Sequence, residues 1–308
     1  MDHAPYQPRR PGRGLLHELR GLRLHAWHWG DASLATPARP TLVLAHGWMD
    51  VGASFQFVVD ELARLEGERR HVVALDWRGF GRSTSGADTF WFLDYLGDLD
   101  ALLGVLAPGG AVDLAGHSMG GNVVMSYAGV RPARIRRLVN LEGFGLPASH
   151  PAQAPERVAQ WLDELARPMS LASYDSIAGV VQRLRRNNPR VPPERAEWLA
   201  AHWSERRADG RWHILGEAAH KRVNPVLYRA EEALESWRRI ASPLLWVEGR
   251  QTDVAKHWGE RYPRAEFEAR LAEVPRVARV VLEDCGHMLH LDQPAALAEA
   301  LLAFLEGD

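Results

Sequence analysis

Residues 112–127 read Val-Asp-Leu-Ala-Gly-His-Ser-Met-Gly-Gly-Asn-Val-Val-Met-Ser-Tyr. An apolar run ends at Gly116, and a helical spacing of apolar residues begins just after Gly120. The stretch therefore predicts a strand, a sharp turn and a helix, with Ser118 at the apex of the turn. Glycines on both sides of the serine suit such a turn, because a side chain there would collide with the neighbouring strand or helix. Ser118 is the candidate nucleophile.

Outside this stretch, short apolar runs alternate with amphipathic helical patterns. Runs of this kind, bounded by turn residues, are typical of strands buried on both faces of a parallel sheet. The predicted fold class is therefore α/β, with a mostly parallel, doubly wound sheet. One or two outer strands, joined near Gly21, precede it. The predicted sheet strands are residues 41–45, 72–76, 112–115, 135–142, 243–249 and 277–282.

The alternation stops after Gly145. Residues 147–239 contain no buried strand pattern but four short helical stretches, centred near Trp161, Val180, Trp198 and Trp237. A segment this long is too large for a structureless loop, so it is predicted to be a helical cap, or lid, inserted after the sixth strand. The core is then residues 15–146 and 240–308. Residues 1–14, rich in proline and arginine and without the apolar core of a signal peptide, are predicted to be a flexible leader.

Composition excludes several function classes. The chain has 308 residues, 46% of them hydrophobic and 25% charged, with a net charge of −2. Neither a basic surface for nucleic acid nor an apolar run long enough for a membrane helix is present, so the expected partner is a small-molecule substrate. One cysteine, Cys285, excludes an internal disulfide and favours a cytoplasmic location. The oligomeric state is not predicted.

Four motifs occur in an order that resembles the α/β-hydrolase family. They are His46-Gly47-Trp48, Asp76-Trp77-Arg78-Gly79-Phe80-Gly81-Arg82-Ser83, Gly116-His117-Ser118-Met119-Gly120-Gly121 and Gly286-His287. The third is similar to the nucleophile elbow of serine esterases and lipases, and the first to the family's oxyanion loop. The resemblance covers nearly the whole chain after residue 14 and implies an α/β-hydrolase fold with a helical cap.

A serine hydroxyl needs a histidine to take its proton, and that histidine needs a carboxylate to fix its tautomer. Serine, then acid, then histidine is the chain order in this fold. His287, which follows an apolar strand and a glycine, is the candidate base. His290 is its alternative, whereas His117 and His46 are predicted to have supporting roles.

The acid has three candidates. Asp253 follows the seventh strand, where family members usually carry the acid, but it lies four residues after Gly249 instead of three. Glu142, in Leu141-Glu142-Gly143 at the end of the sixth strand, occupies the position used by some members, among them certain haloalkane dehalogenases. Asp253 is the first choice, so Asp253→Asn is expected to cost more activity than Glu142→Gln. Glu248 is the third candidate.

The resemblance also implies an oxyanion hole made by the main-chain N–H groups of Trp48 and Met119. No nucleotide-binding glycine pattern follows the first strand, so no organic cofactor is expected. His213 and His220 are isolated from cysteine and lack the i, i+4 spacing of helix ligands, so no metal is expected either. Cys285 is the rival nucleophile. The basic run Arg183, Arg185 and Arg186 with Arg190 is predicted to be a solvated helix face, and so is the segment 220–222.

These features predict a cofactor-free serine hydrolase that works through an acyl-enzyme. A carboxylesterase for small to medium apolar acyl groups is the preferred activity. Two alternatives stay open: a carbon–carbon bond hydrolase of the same fold, which an arginine facing the site would favour, and a non-catalytic ligand-binding protein.

Overall fold

A computed structural model of the chain describes residues 4–253 and 259–307. Within these ranges, eight strands form one central sheet, in the spatial order β1-β2-β4-β3-β5-β6-β10-β11. The strands are β1 (Arg13–Leu19), β2 (Leu22–Trp29), β3 (Leu42–Ala45), β4 (Val72–Leu75), β5 (Val112–His117), β6 (Ile135–Leu141), β10 (Leu244–Gly249) and β11 (Val277–Leu282).

The strand directions agree with the prediction. A hairpin joins β1 to β2 at Arg20-Gly21, where both residues have positive φ, and β2 also pairs antiparallel with β4. The neighbours from β4 to β11 all pair in parallel. Parallel strands end at the same edge of the sheet, so the loops after β3, β5, β6, β10 and β11 meet there.

Helices cover both faces of the sheet, which confirms the predicted α/β class. One apolar cluster lies under α2, α3, α7 and α8, and a second lies under α1 and α10. The helices are α1 (Gln56–Glu66), α2 (Phe92–Leu106), α3 (Met119–Val130), α4 (Ala154–Leu165), α5 (Ile177–Asn187), α6 (Pro193–Trp203), α7 (Ala230–Arg238), α8 (Arg264–Leu271), α9 (Leu289–Asp292) and α10 (Pro294–Glu306).

The segment predicted as a cap carries α4 to α7, which match the four predicted helical stretches. It also carries a small antiparallel sheet, β7 (Ser173–Tyr174), β9 (Trp212–Ile214) and β8 (Ser204–Arg206), that the sequence analysis did not predict. The helix α7 packs on the core. A Cβ placed on Gly129 of α3 would lie 1.9 Å from the Ser236 carbonyl oxygen, and Trp237 belongs to the core cluster under α3. The last helix of the predicted cap segment therefore packs on α3 of the core.

Residues predicted as a flexible leader pack on α1 in the structure. The Tyr6 hydroxyl donates to the carboxylate of Asp60, and the main-chain N–H groups of Arg9 and Arg10 donate to the same carboxylate at 2.9 Å. These contacts hold the segment before β1 against the core. None of the described helices is both long enough and apolar enough to cross a membrane.

Candidate active site

Ser118 lies between β5 and α3, where the sequence predicted a sharp turn. Its backbone has φ 52° and ψ −115°, a conformation that costs an L-residue about 1–3 kcal/mol. The flanking glycines allow the turn: a Cβ on Gly116 would meet the Gly120 oxygen at 2.4 Å, and a Cβ on Gly120 would meet the Ala45 oxygen at 2.3 Å. Ser118 is thus held at the first turn of α3, where free N–H groups favour negative charge.

Ser118, His287 and Glu142 form a continuous chain of hydrogen bonds. The Ser118 hydroxyl donates to Nε2 of His287 over 3.0 Å, and Nδ1 of the same ring donates to Oε2 of Glu142 over 2.6 Å. The Glu142 side chain is completely buried, whereas one third of the His287 side chain is exposed. Such a network fixes the imidazole with its proton on Nδ1 and its lone pair toward the serine.

Glu142 reaches the histidine because of its backbone. It directly follows β6 and has φ 57°. Its second carboxylate oxygen, Oε1, accepts from the Gly249 N–H at 2.7 Å and from the Thr252 hydroxyl at 2.6 Å. These two donors offset the cost of burying the carboxylate.

Of the three predicted acids, the structure brings Glu142, the alternative, to His287. Asp253, the first choice, is an exposed residue of the loop after β10, and the carboxylate on Nδ1 of His287 belongs to Glu142. Glu248, the third candidate, forms an ion pair with Arg264 at 2.7 Å. In the sequence, the spacing of four residues from Gly249 to Asp253 already showed that Asp253 departs from the family pattern. The other indication was Glu142, an acidic residue that follows a neighbouring strand.

The expected oxyanion donors lie on either side of the serine. Met119 is the first residue of α3, and Trp48 lies in the turn after β3. A Cβ on Gly47 would lie 3.2 Å from Cβ of Ser118, so the main chain of this loop packs directly on the serine. Within the described ranges, the N–H groups of Trp48 and Met119 donate to no protein acceptor.

A second layer of histidines lies behind the site. Nε2 of His117 donates to the His287 carbonyl oxygen over 2.8 Å, which ties the base's main chain to β5. Burial, followed by the charges of His290 and His287, lowers the pKa of His117 well below its usual value, so this ring is neutral. His46 was also predicted to have a supporting role. Its Nε2 accepts a hydrogen bond from the Trp77 N–H at 3.1 Å.

His290, the alternative base, contacts Asp50 and not the serine: its Nε2 lies 3.2 Å from Oδ2 of Asp50. Among the described residues, Asp50, His117 and His290 are the group whose ligand atoms, within 4.8 Å of one another, could hold a metal ion. The Nδ1 atoms of both histidines are buried and have no hydrogen-bond partner in the part of the chain that the structure describes. A buried water molecule that donates hydrogen bonds to these nitrogens would satisfy them as well as a metal ion would.

Cys285, the rival nucleophile, is buried, and its thiol donates to the Gly286 carbonyl oxygen. Burial, with the nearby carboxylates of Asp292 and Glu142, raises the pKa of this thiol to about 12. A thiol in this state is a poor nucleophile at neutral pH.

The segment predicted as a cap contacts the loop after β3. The Trp203 indole donates to the Met49 carbonyl oxygen at 3.1 Å, and the Trp48 indole donates to the His220 carbonyl oxygen at 3.3 Å. A cavity of about 300 Å³ lies between cap and core at this point, with Trp48 and Met288 among its lining residues. Ser118 and His287 are not among its lining residues, but Met288, the residue that follows His287, is.

Comparison with known proteins agrees with this geometry. A model described as "Alpha/beta hydrolase family" matches residues 42–300. The chain belongs to the α/β-hydrolase family. The match confirms the resemblance seen in the four motifs, and the eight-stranded sheet is the family's fold.

Individual relatives are hydrolases. The chain is 31% identical over 293 residues to the 3-hydroxybutyrate-oligomer hydrolase of Cupriavidus necator, covering 91% of this chain and 92% of the relative. Its fold is similar to the thioesterase domain from the curacin biosynthetic pathway, with a TM-score of 0.80 at 24% identity, over 95% of this chain and 99% of that one. A hypothetical protein of Pseudomonas aeruginosa has a TM-score of 0.79 at 26% identity, over 96% and 99%. The family match and the relative from Cupriavidus necator therefore support the assignment of this protein as a hydrolase.

Proposed function

We propose that this α/β-hydrolase is a serine carboxylesterase in which Ser118 is the nucleophile, His287 the base and Glu142 the acid. The observation that carries the proposal is the pair of hydrogen bonds from Ser118 to His287 at 3.0 Å and from His287 to the buried Glu142 at 2.6 Å. A strained, half-buried serine joined to an imidazole with a buried carboxylate behind it is the arrangement that activates a hydroxyl.

The reaction follows from these roles. Nε2 of His287 takes the proton of the Ser118 hydroxyl as Oγ attacks the ester carbonyl carbon, and Glu142 stabilises the imidazolium that forms. The main-chain N–H groups of Met119 and Trp48 bind the negative oxygen of the tetrahedral intermediate. His287 then protonates the leaving alcohol. Water, deprotonated by the same nitrogen, releases the acid from the acyl-enzyme.

The acyl group is proposed to enter the cavity between cap and core. Its walls are mainly apolar: Leu184, Leu199, Trp203, Ile214 and Leu291 are each less than a tenth exposed. Removing a medium-length acyl chain from water into such a cavity contributes about 0.8 kcal/mol for each buried methylene. The relative from Cupriavidus necator, by its name a hydrolase of 3-hydroxybutyrate oligomers, supports an ester substrate.

The single cysteine supports a cytoplasmic location.

Labelling with a fluorophosphonate tests the proposal. We expect wild type to be labelled and to hydrolyse 4-nitrophenyl esters of medium chain length, and Ser118→Ala to lose both. Ser126→Ala, a serine of α3 whose hydroxyl donates to the Asn122 carbonyl oxygen, is the matched control and should retain both. Labelling at a residue other than Ser118, or no labelling of wild type, would contradict the proposal.

A carbon–carbon bond hydrolase is the second candidate. The observation that favours it is an arginine, Arg183, lining the same cavity. In that case Ser118 would be labelled by the fluorophosphonate, but esters of every chain length would be left intact. The ester assay therefore separates the two activities.

A further inference from the structure

The cavity between cap and core has two cations at its wall that the sequence analysis assigned to solvated faces. Arg183 of α5 and Lys221 both line it. Arg183 is only partly exposed, and its guanidinium carbon lies 5.7 Å from the centre of the Trp203 ring, another wall residue. The basic run is thus divided, with Arg185 and Arg186 exposed and Arg183 turned to the cavity.

Neither cation has a carboxylate partner among the described residues. Within residues 4–253 and 259–307, no carboxylate forms an ion pair with Arg183 or Lys221, and the Lys221 ammonium donates to the Ser170 carbonyl oxygen at 2.8 Å. Nε of Arg183 is buried and has no hydrogen-bond partner among these residues. An unpaired guanidinium nitrogen inside a largely apolar wall is costly unless a ligand supplies the acceptor.

One carboxylate, that of Asp50, also lines the cavity. It is 6% exposed and accepts hydrogen bonds from the Ser54 hydroxyl at 2.9 Å and from His290 at 3.2 Å. Its negative charge therefore interacts with Ser54 and His290 on the core side of the cavity. Two cations against one carboxylate leave the cavity with an excess positive charge that suits a singly charged anion better than a phosphate dianion.

From this we infer that the cavity takes an acyl chain that ends in a carboxylate, with Arg183 and Lys221 holding the carboxylate and the apolar wall holding the chain. The inference rests on the proposed function, since it assigns the substrate class of the same site. Arg183 supplies a planar fork of N–H donors that matches a carboxylate, and Lys221 adds a second charge. The preferred substrate is then the half-ester of a dicarboxylic acid, or a carboxylate-ended ester of similar length.

Paired substrates measure this preference directly. The mono-4-nitrophenyl ester of suberic acid carries a free carboxylate at neutral pH, and its methyl ester is the neutral match. We expect wild type to hydrolyse the acid with a kcat/KM at least about tenfold higher than the methyl ester, as for a charge-assisted hydrogen bond. Arg183→Met with Lys221→Met keeps the apolar stems and should bring the ratio close to one. Arg183→Lys should restore part of it, and Arg185→Met, on the exposed part of α5, should leave it unchanged.

Calorimetry on Ser118→Ala tests binding without turnover. Monomethyl suberate, whose carboxylate is at the far end of the acyl chain from its ester, should bind at least about tenfold more tightly than dimethyl suberate, and the Arg183→Met and Lys221→Met changes should remove the difference. Equal binding of the two ligands, or a preference that survives both substitutions, overturns the inference. Failure of the proposed function is a separate result: wild type would then not be labelled by the fluorophosphonate, whatever the calorimetry shows.

Discussion

The hydroxyl of Thr252 donates a 2.6 Å hydrogen bond to Oε1 of Glu142. Thr252 is the neighbour of Asp253, in the loop where the sequence analysis expected the acid. This loop after β10 instead supplies donors, Thr252 and the N–H of Gly249, to a carboxylate that comes from the end of β6. Because one oxygen of Glu142 is held by the loop, the other is presented to Nδ1 of His287 in a fixed direction.

The first prediction separates the two candidate acids. Glu142→Gln removes the charge that stabilises the imidazolium and offers Nδ1 an amide, so kcat/KM should fall by about 10³–10⁴. Asp253→Asn, in an exposed loop position, should change it by less than about threefold. Ester hydrolysis by both purified variants measures the difference. A larger loss in Asp253→Asn would return the acid to the loop after β10.

The second prediction concerns the support of the acid. Thr252→Val keeps the shape of the side chain but removes the donor to Oε1, so Glu142 is less firmly oriented and kcat should fall by about tenfold. Thr252→Ser, which keeps a hydroxyl, is the matched control and should retain most of the rate. Equal kcat values in the valine and serine variants would show that this hydrogen bond does not orient the acid.

The third prediction concerns the elbow. Gly120→Ala would bring a Cβ to 2.3 Å from the Ala45 oxygen and 2.6 Å from the His46 oxygen, both main-chain atoms that cannot move aside cheaply. We expect more than about 3 kcal/mol of lost stability. Gly104→Ala in α2, where a Cβ meets nothing within 4 Å, should instead stabilise by about 0.5–1 kcal/mol. Urea unfolding of both variants checks the opposite signs, and a stable Gly120→Ala protein would contradict the close packing.

The fourth prediction is an acid-sensitive contact under the cap. The ring of His220 is stacked between Phe80 and Phe90, with centroid distances of 3.6 and 3.5 Å, and burial lowers its pKa from 6.5 to about 3. Below pH 6.5 the unfolded chain binds a proton that the folded chain does not bind until about pH 3. Stability from His220 is therefore complete above pH 6.5 and decreases as the pH falls, by about 2 kcal/mol between pH 7 and pH 5.

His220→Phe removes this titration. The free energy of unfolding of wild type and variant, measured from pH 7 to pH 4, should show a shallower pH dependence in the variant. The comparison cancels the other buried histidines, such as His28, whose pKa burial also lowers to about 3. Parallel curves for the two proteins would mean that His220 is charged, or solvated, in the folded state.

The fold and the turn at Ser118 could be predicted from the sequence because both depend on local patterns. Buried parallel strands require continuous apolar runs, so the strands at residues 72–75 and 112–115 can be predicted without knowing which strands they pair with. The turn at Ser118 requires glycines at fixed positions, and the chain order of serine, acid and histidine points to His287, which follows a strand and a glycine.

The contact between Glu142 and His287 and the lining of the cavity are visible only in the tertiary structure. Asp253 and Glu142 both follow sheet strands, and the choice between them depends on a left-handed backbone at residue 142 and on which loop reaches which strand end. Arg183 differs from Arg185 only in which way it points from a helix, and the spacing of charges does not give that direction. Local sequence patterns determine elements and turns, whereas contacts between residues more than a hundred positions apart, such as Glu142 with His287, depend on how those elements pack.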